Sequence, residues 1–593
     1  MCVFGAASLY NAWPGRTSHE HRTMRTRFWS FIVSASACVL LLASVSVDAA
    51  GGRIPARGTH AMVASSSEIA SAIGVEIMQQ GGNAVDAAVA TAFALAVTWP
   101  SAGNIGGGGF LVWHGTDGSA TTFDFREKAP LAATETMYLD EDGNVRDNSN
   151  HEGILAVGVP GTVAGLVLAH ERLGKLDWAR LVEPAEALAR NGIPITWALH
   201  DDFRARKAFW DRYPSSAKKF LKPDGSFWQP GETWRQPDLA DTLARIRQQG
   251  RDGFYRGRTA ELIADFMAAN GGLITLEDLE RYEAVERDPI RGTYRGWQVV
   301  SMPPPSSGGV VLVEMLNILE GYDLAELGHN SALYLHLLTE AMRRAYADRA
   351  EHLGDPDFNE DMPIERLTSK EYARVLRASI DPERASPSDP KRFARAYESP
   401  ETTHISIVDP DGNMVALTYT LEWSYGSHIV VEGAGFLLNN EMGDFNARPG
   451  VTDRQGWIGT DPNLIAPEKR MLSSMTPTIL ARDGVPVMAI GTPGGKTIIN
   501  TTLQVILNVV DHGMNIAQAI EAGRIHHQWL PDVTRIERTA VTPDTLRLYE
   551  AYGHPVRLSN GFGQAMGVYH DLESGVYYGA ADSRAPDGAA VGR

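Results

Sequence analysis

Apolar positions first fall into helical spacing between Ser67 and Gln80, and the pattern stops at Gly81-Gly82. Asn83 can cap a second helix, Ala84–Val97, which is apolar almost all round and so predicted to be buried on every side. Pro100 ends it. The glycine-rich stretch Gly103-Asn104-Ile105-Gly106-Gly107-Gly108-Gly109 leads into a strand, Phe110–Trp113. A phosphate-binding glycine loop follows a strand and precedes a helix, whereas the order here is helix, loop, strand. The glycines are therefore expected to permit close backbone packing. Between residues 160 and 390 the pattern is mostly helical, as at Thr162–Leu173, Leu176–Arg190 and Asn330–Leu353. A polar segment, Phe393–Glu401, then enters a strand-rich region, and such an exposed connection tolerates being cut.

Thr402–Leu421 reads as two strands around Asp409-Pro410-Asp411-Gly412-Asn413. Pro410 pre-sets a type I turn and Gly412 supplies the left-handed position of a three-residue loop. If Asp409 faces Asn413, Thr402 faces Thr420. Alternation then puts Thr402, His404 and Ser406 on one face, beside Thr418, Thr420 and Glu422. The hairpin alone fits either a polar sheet face stabilised by Thr–Thr pairs or a catalytic threonine.

Composition narrows the classes. The 593 residues are 44% hydrophobic and 21% charged, with a formal net charge of −18. That is ordinary globular material with no net basic field for nucleic acid. Arg22, Arg25 and Arg27 precede an apolar run, Phe28–Val47, and then Val47-Asp48-Ala49, a small-residue cleavage pattern. The serines at 34, 36, 44 and 46 interrupt the run and favour a cleaved signal peptide, residues 1–49, over a membrane anchor. A periplasmic or secreted protein with no stable membrane association is expected. Both cysteines, Cys2 and Cys38, lie in this leader, leaving the mature chain no thiol chemistry.

Other chemistries find little footing. Ser215-Ser216-Ala217-Lys218 is an S-x-x-K pattern, but Lys496-Thr497-Ile498 lacks the glycine of the strand that accompanies it in penicillin-recognising enzymes. His526-His527 are adjacent, so their side chains diverge, and no H-E-x-x-H helix appears. Neither a metal nor another cofactor is expected.

The decisive pattern is a set of segments in order. Thr402-Thr403-His404, Thr418-Tyr419-Thr420, Asn439–Phe445, Lys469–Pro477 and Gly491-Thr492-Pro493-Gly494-Gly495 together closely resemble the γ-glutamyltransferases, also called glutathione hydrolases. These are N-terminal-nucleophile hydrolases. The likeness extends upstream through Gly81–Ala88, Gly106–Phe110, Asp124–Glu127 and Pro304–Gly309, and so covers essentially the whole mature chain.

The resemblance implies an α+β fold, a four-layer αββα sandwich, cut by itself between Glu401 and Thr402 into a large subunit (50–401) and a small one (402–593) that remain a heterodimer. Thr402 is then the nucleophile. A hydroxyl needs a nearby base, and cleavage frees an α-amine of pKa about 7.7–8 that can serve. The resemblance makes Thr420 the residue that orients Thr402, and Gly494 and Gly495 the oxyanion hole. It assigns the substrate's α-carboxylate to Arg126, Ser473 and Ser474, and its ammonium to Glu441, Asp444 and Glu422; Glu422 stands where some members carry Asn or Ser. The implied substrates are small γ-glutamyl amides, with water, amino acids or peptides as acceptors. One departure is Gln455, at the position of an aromatic lid residue; Trp457 is the substitute expected. A cephalosporin (glutaryl) acylase or polyglutamate transpeptidase of the same fold is the enzymatic alternative. A periplasmic amino-acid-binding protein is the non-enzymatic one, and it would stay a single band on a denaturing gel.

Overall fold

The computed structural model describes residues 53–389, 402–451 and 459–593. The leader with its cleavage pattern, Glu401 with the segment before it, and the lid positions Gln455 and Trp457 lie outside the described residues.

Two seven-stranded sheets carry the fold. In chain order the strands are β1 (Ala56–Gly58), β2 (Met62–Ser65), β3 (Gly108–His114), β4 (Ala120–Phe125), β5 (Val285–Arg287), β6 (Ile290–Tyr294) and β7 (Trp297–Ser301). They continue as β8 (Thr403–Val408), β9 (Met414–Thr420), β10 (Thr478–Arg482), β11 (Val485–Gly491), β12 (Met566–Asp571), β13 (Val576–Ala581) and β14 (Ala589–Gly592). One sheet has the order β14-β2-β8-β9-β3-β4-β5, the other β1-β13-β12-β11-β10-β7-β6. Both sheets combine strands from before and after residue 402, paired directly at several ladders, so a chain cut there stays held together by them.

The helices that matter to the site are α1 (Glu68–Gln79), α2 (Ala84–Thr98), α3 (Thr162–Leu173), α4 (Trp178–Asn191), α5 (Pro214–Phe220), α6 (Pro237–Gln249), α7 (Gly308–Leu319), α8 (Ala332–His352) and α9 (Thr497–Val510). Apolar faces of α2, α3, α4 and α6 pack with Leu111, Ile405 and Leu417 from the outer side of the first sheet. Those of α7, α8 and α9 pack with Val299, Leu480 and Ile490 from the second. Between the sheets Met62, Phe110, Val300, Ala416, Ile479 and Val568 make a third core. Helices outside and two sheets inside give the αββα sandwich.

The amphipathic and capping signals locate these elements well. Every residue of α2 is buried, and the Asn83 side chain accepts from the Val85 and Asp86 amides while Asp86 accepts in return, a reciprocal capping box. The Thr162–Leu173 helix has the bounds expected from its spacing. The glycine loop packs as expected. A Cβ on Gly107 would lie 1.9 Å from the Thr420 carbonyl oxygen, and one on Gly106 would lie 2.1 Å from that of Leu437. Gly107→Ala is therefore expected to cost about 1–3 kcal/mol by overpacking, read as a lowered denaturation midpoint.

Candidate active site

The β8–β9 hairpin has the register read from its turn: Thr403 opposes Tyr419, His404 opposes Thr418, and Val408 opposes Met414. Gly412 is left-handed at φ 85°. The Asp409 carboxylate accepts from the amides of Asp411 (3.0 Å), Asn413 (2.9 Å) and, across the layer, Ala84 at the start of α2 (3.1 Å). That clamps the hairpin to the helix layer and fixes where its open end delivers Thr402.

The polar face of this hairpin is buried between the sheets. His404 bonds Thr418 Oγ1 through Nδ1 at 2.7 Å and Ser406 Oγ through Nε2 at 3.0 Å, and Ser406 donates to the Met566 carbonyl at 3.0 Å. Burial pushes the His404 imidazole down to about 3, so it is a neutral link across the sandwich. One expectation needs correction. Glu422 does not share this face by alternation, because β9 ends at Thr420 and Glu422 is left-handed at φ 79°. Its amide donates to Thr420 Oγ1 at 2.8 Å, and the turn swings its carboxylate toward the Asn440 side chain.

At the open end lies a pocket of about 240 Å3 lined by Arg126, Thr402, Thr420, Glu422, Glu441, Asp444, Ser473, Ser474 and Gly495, with Met475 and Ile498. Nine of the ten residues singled out in the sequence thus meet around one cavity. Gly494, the tenth, precedes the lining residue Gly495 in the chain. Both glycines are left-handed, at φ 138° and 54°, between β11 and α9. A Cβ on Gly494 would lie 2.4 Å from Thr497 Oγ1. Their carbonyls accept from Thr497 and Ile498, which start α9, while among the described residues neither glycine amide donates to a protein acceptor. Unpaired amides at a helix start suit a developing negative charge.

Arg126 is 1% exposed. Its guanidinium donates to both Glu441 and Asp444, and to the Met471 carbonyl at 3.2 Å, with Glu127 3.7 Å away. Its charge partners are therefore mainly the two acids of the 441–444 turn. Burial opposes the Arg126 charge, but Glu441, Asp444 and Glu127 more than offset this and hold its pKa above the ordinary value. Three carboxyls share one guanidinium. Burial pushes Glu127 up to about 7 against the pull of Arg126, and raises Glu441 well above the carboxylate range.

The sign of the Glu127 shift gives a prediction. An acid whose pKa is raised on folding contributes stability in its protonated form that is lost as pH climbs from 4.5, its ordinary value, to about 7. Glu127→Gln cannot ionise, so its thermal stability should gain on the wild type across that window, by on the order of 1–3 kcal/mol. Parallel melting curves across the window would dispose of this assignment.

Neighbours not singled out as site residues from the sequence complete the site. His151 lies with Nδ1 3.3 Å from Glu422, its ring stacked on Trp423 with centroids 5.4 Å apart. Burial lowers His151 to about 4. Asn440 donates to Glu422 and, at 3.1 Å, to the His151 carbonyl. Arg349 of α8 donates to Ser474 Oγ at 3.0 Å and to Ser307 Oγ at 2.8 Å. The Ser473 amide donates to the Pro305 carbonyl at 2.9 Å, and its carbonyl accepts from the Ser307 amide at 2.8 Å. The Pro304–Gly309 segment thus seats the serine pair.

Elsewhere, His526 and His527 are buried and bonded to Asn500 (2.8 Å) and Asp532 (3.2 Å) respectively. His336, Glu340 and His554 form the fully buried one of two clusters with metal-ligand spacing among the described residues, the other being Asp348, Glu351 and His352. The buried cluster's donor atoms are engaged: His336 Nδ1 bonds His554 Nε2 at 2.8 Å, and Glu340 pairs with Arg343 and Arg344.

The site has close relatives. A family model for gamma-glutamyltranspeptidase matches residues 70–592. The chain belongs to the gamma-glutamyltranspeptidase family. The glutathione hydrolase proenzyme of Escherichia coli is 47% identical over 91% of this chain and 93% of that protein. The acylase ACY 1 proenzyme of a Pseudomonas species is 38% identical over 91% of this chain and 94% of its own. Among solved structures, cephalosporin acylase from Bacillus halodurans superposes with a TM-score of 0.81 at 28% identity, covering 93% of this chain and 98% of that one. The chain is an enzyme of the gamma-glutamyltranspeptidase family, which also shares this sandwich with acylases.

Proposed function

We propose that this gamma-glutamyltranspeptidase relative is a self-processing enzyme that cleaves γ-glutamyl amides and passes the group to water or to amino-acid or peptide acceptors. The observation that carries the reading is the shared cavity, lined by Thr402 and Thr420 together with one buried cation, three acidic side chains and a serine pair. Processing between residues 401 and 402 frees the Thr402 amine. That amine accepts the Thr402 hydroxyl proton as the oxygen attacks the substrate's γ-carbonyl carbon. Thr420 orients the hydroxyl. Negative charge developing on the carbonyl oxygen is met by the Gly494 and Gly495 amides. The amine then protonates the departing nitrogen, leaving a γ-glutamyl ester on Thr402 that water or an acceptor amine opens.

Head-group recognition is an exchange of ion pairs. In the free site Arg126 is satisfied by Glu441 and Asp444. A zwitterionic glutamyl group can enter between them, its carboxylate taking Arg126 with Ser473 and Ser474, its ammonium taking Asp444, Glu441 and Glu422. Swapping one set of charge-assisted bonds for another avoids stranding a buried charge, the costly outcome. A glutaryl group lacks the ammonium and would leave the acids without a cation.

The 402–593 piece is taken as the small subunit of a heterodimer with 50–401. No described helix is long and apolar enough to cross a membrane, and export through a cleaved leader to the periplasm or medium is part of the same reading. N-terminal sequencing of the smaller band, together with hydrolysis of γ-glutamyl-p-nitroanilide, tests it. A single unprocessed band that turns over no γ-glutamyl amide would sink it.

A further inference from the structure

A cavity larger than the catalytic pocket lies away from it. It has about 790 Å3 of empty space, against about 240 Å3 at the threonine, and falls in the usual range for small-molecule sites. It opens between α5, the start of α6 and the segment Val430–Gly435, and therefore between residues on the two sides of the proposed cut. Leu221, Trp228, Leu239 and Val431 give it apolar walls.

Its polar groups are unbalanced. Lys218, Lys219 and Arg235 line it against Asp238 and Glu432. Lys218 stands 4.0 Å from Asp238, while among the described residues Lys219 and Arg235 make no ion pair. Lys219 Nζ donates to two neutral acceptors, Gln236 Oε1 at 2.5 Å and the Gly435 carbonyl at 2.8 Å. An ammonium has a third N–H to give. Apolar walls with two cations that lack a carboxylate partner match one chemistry.

We infer that this cavity is a second ligand site, taking a small amphipathic carboxylate whose acid group pairs with Lys219 and Arg235 and whose apolar body lies against Trp228, Leu221 and Val431. The placement gives it a route to the chemistry. Lys219 and Leu239 also line an adjoining cavity of about 260 Å3 that reaches Asn104 and Leu421, and Asn104 holds the Thr420 carbonyl at 2.9 Å. Burial lowers Lys219 to about 7, so an arriving anion should draw a proton onto it above that pH.

The test is calorimetric titration of the processed enzyme with 4-phenylbutanoate near pH 8, with saturating L-glutamate present to fill the catalytic pocket. One saturable site is expected, with proton uptake revealed by buffers of different ionisation enthalpy. Lys219→Met should weaken binding roughly ten- to a hundredfold, the worth of a charge-assisted bond, and abolish the uptake. Lys219→Arg should keep the affinity without the uptake. Arg235→Gln, at an exposed position, should weaken binding several-fold, and γ-glutamyl-p-nitroanilide turnover reports that each variant is folded. Non-saturable binding, displacement by glutamate, or equal affinity in Lys219→Met and wild type would overturn the assignment.

Discussion

Replacing Thr402 with alanine is expected to leave one band on a denaturing gel and to remove turnover, a loss of at least about 10^3-fold in kcat. Both effects follow from one atom. On the proposed function the Thr402 hydroxyl attacks the preceding carbonyl in the precursor, and the same hydroxyl attacks the substrate in the mature enzyme. Its position is set from outside the residue, by the Asp409 clamp on the hairpin turn and by the pairing of Thr403 with Tyr419, so alanine leaves the frame intact. Thr402→Ser keeps the oxygen and should process and turn over more slowly. The pair of variants separates chemistry from folding: an alanine variant that still gave two bands would assign the cut to another agent.

How much of this was legible in the chain depends on how local each feature is. The hairpin register is a local matter of Asp409, Pro410 and Gly412, and α2 announces itself through Asn83 and Asp86; both read correctly. Thr402 and Thr420 lie one step beyond the Thr403–Tyr419 pair at the open end, where both line the pocket. Glu422 fails the same rule because alternation assumes an extended backbone, and residue 422 is left-handed. Arg126 is harder still. Glu127 is its neighbour in the chain, yet its short contacts are to acids more than 300 positions away. Arg349 and Pro305 behind the serine pair, and His151 behind Glu422, are likewise products of the packed layers. Ordered motifs carried the site, and its charge balance emerged only with the fold.

That charge balance makes the second prediction the more diagnostic one. Asp444→Asn is expected to lower kcat/KM for γ-glutamyl-p-nitroanilide by roughly 10- to 10^2-fold, since it replaces a carboxylate acceptor of the substrate ammonium by a neutral amide oxygen. The matching glutaryl anilide has no ammonium, and its rate should fall by less than about tenfold or rise. Two features of the free site sharpen this expectation. The introduced amide keeps the shape of the turn and can still accept a bond from Arg126, so the carboxylate grip survives. The substitution also removes one of three acids around that guanidinium, and Asp444 is among the charges that raise Glu127; the Glu127 pKa should therefore move down, and the alkaline loss of stability should be smaller and end at lower pH. A variant that lost both substrates equally would point to collapse of the Arg126 network. One that kept its preference unchanged would remove Asp444 from the ammonium site, and with it the reason for choosing a γ-glutamyl over a glutaryl donor.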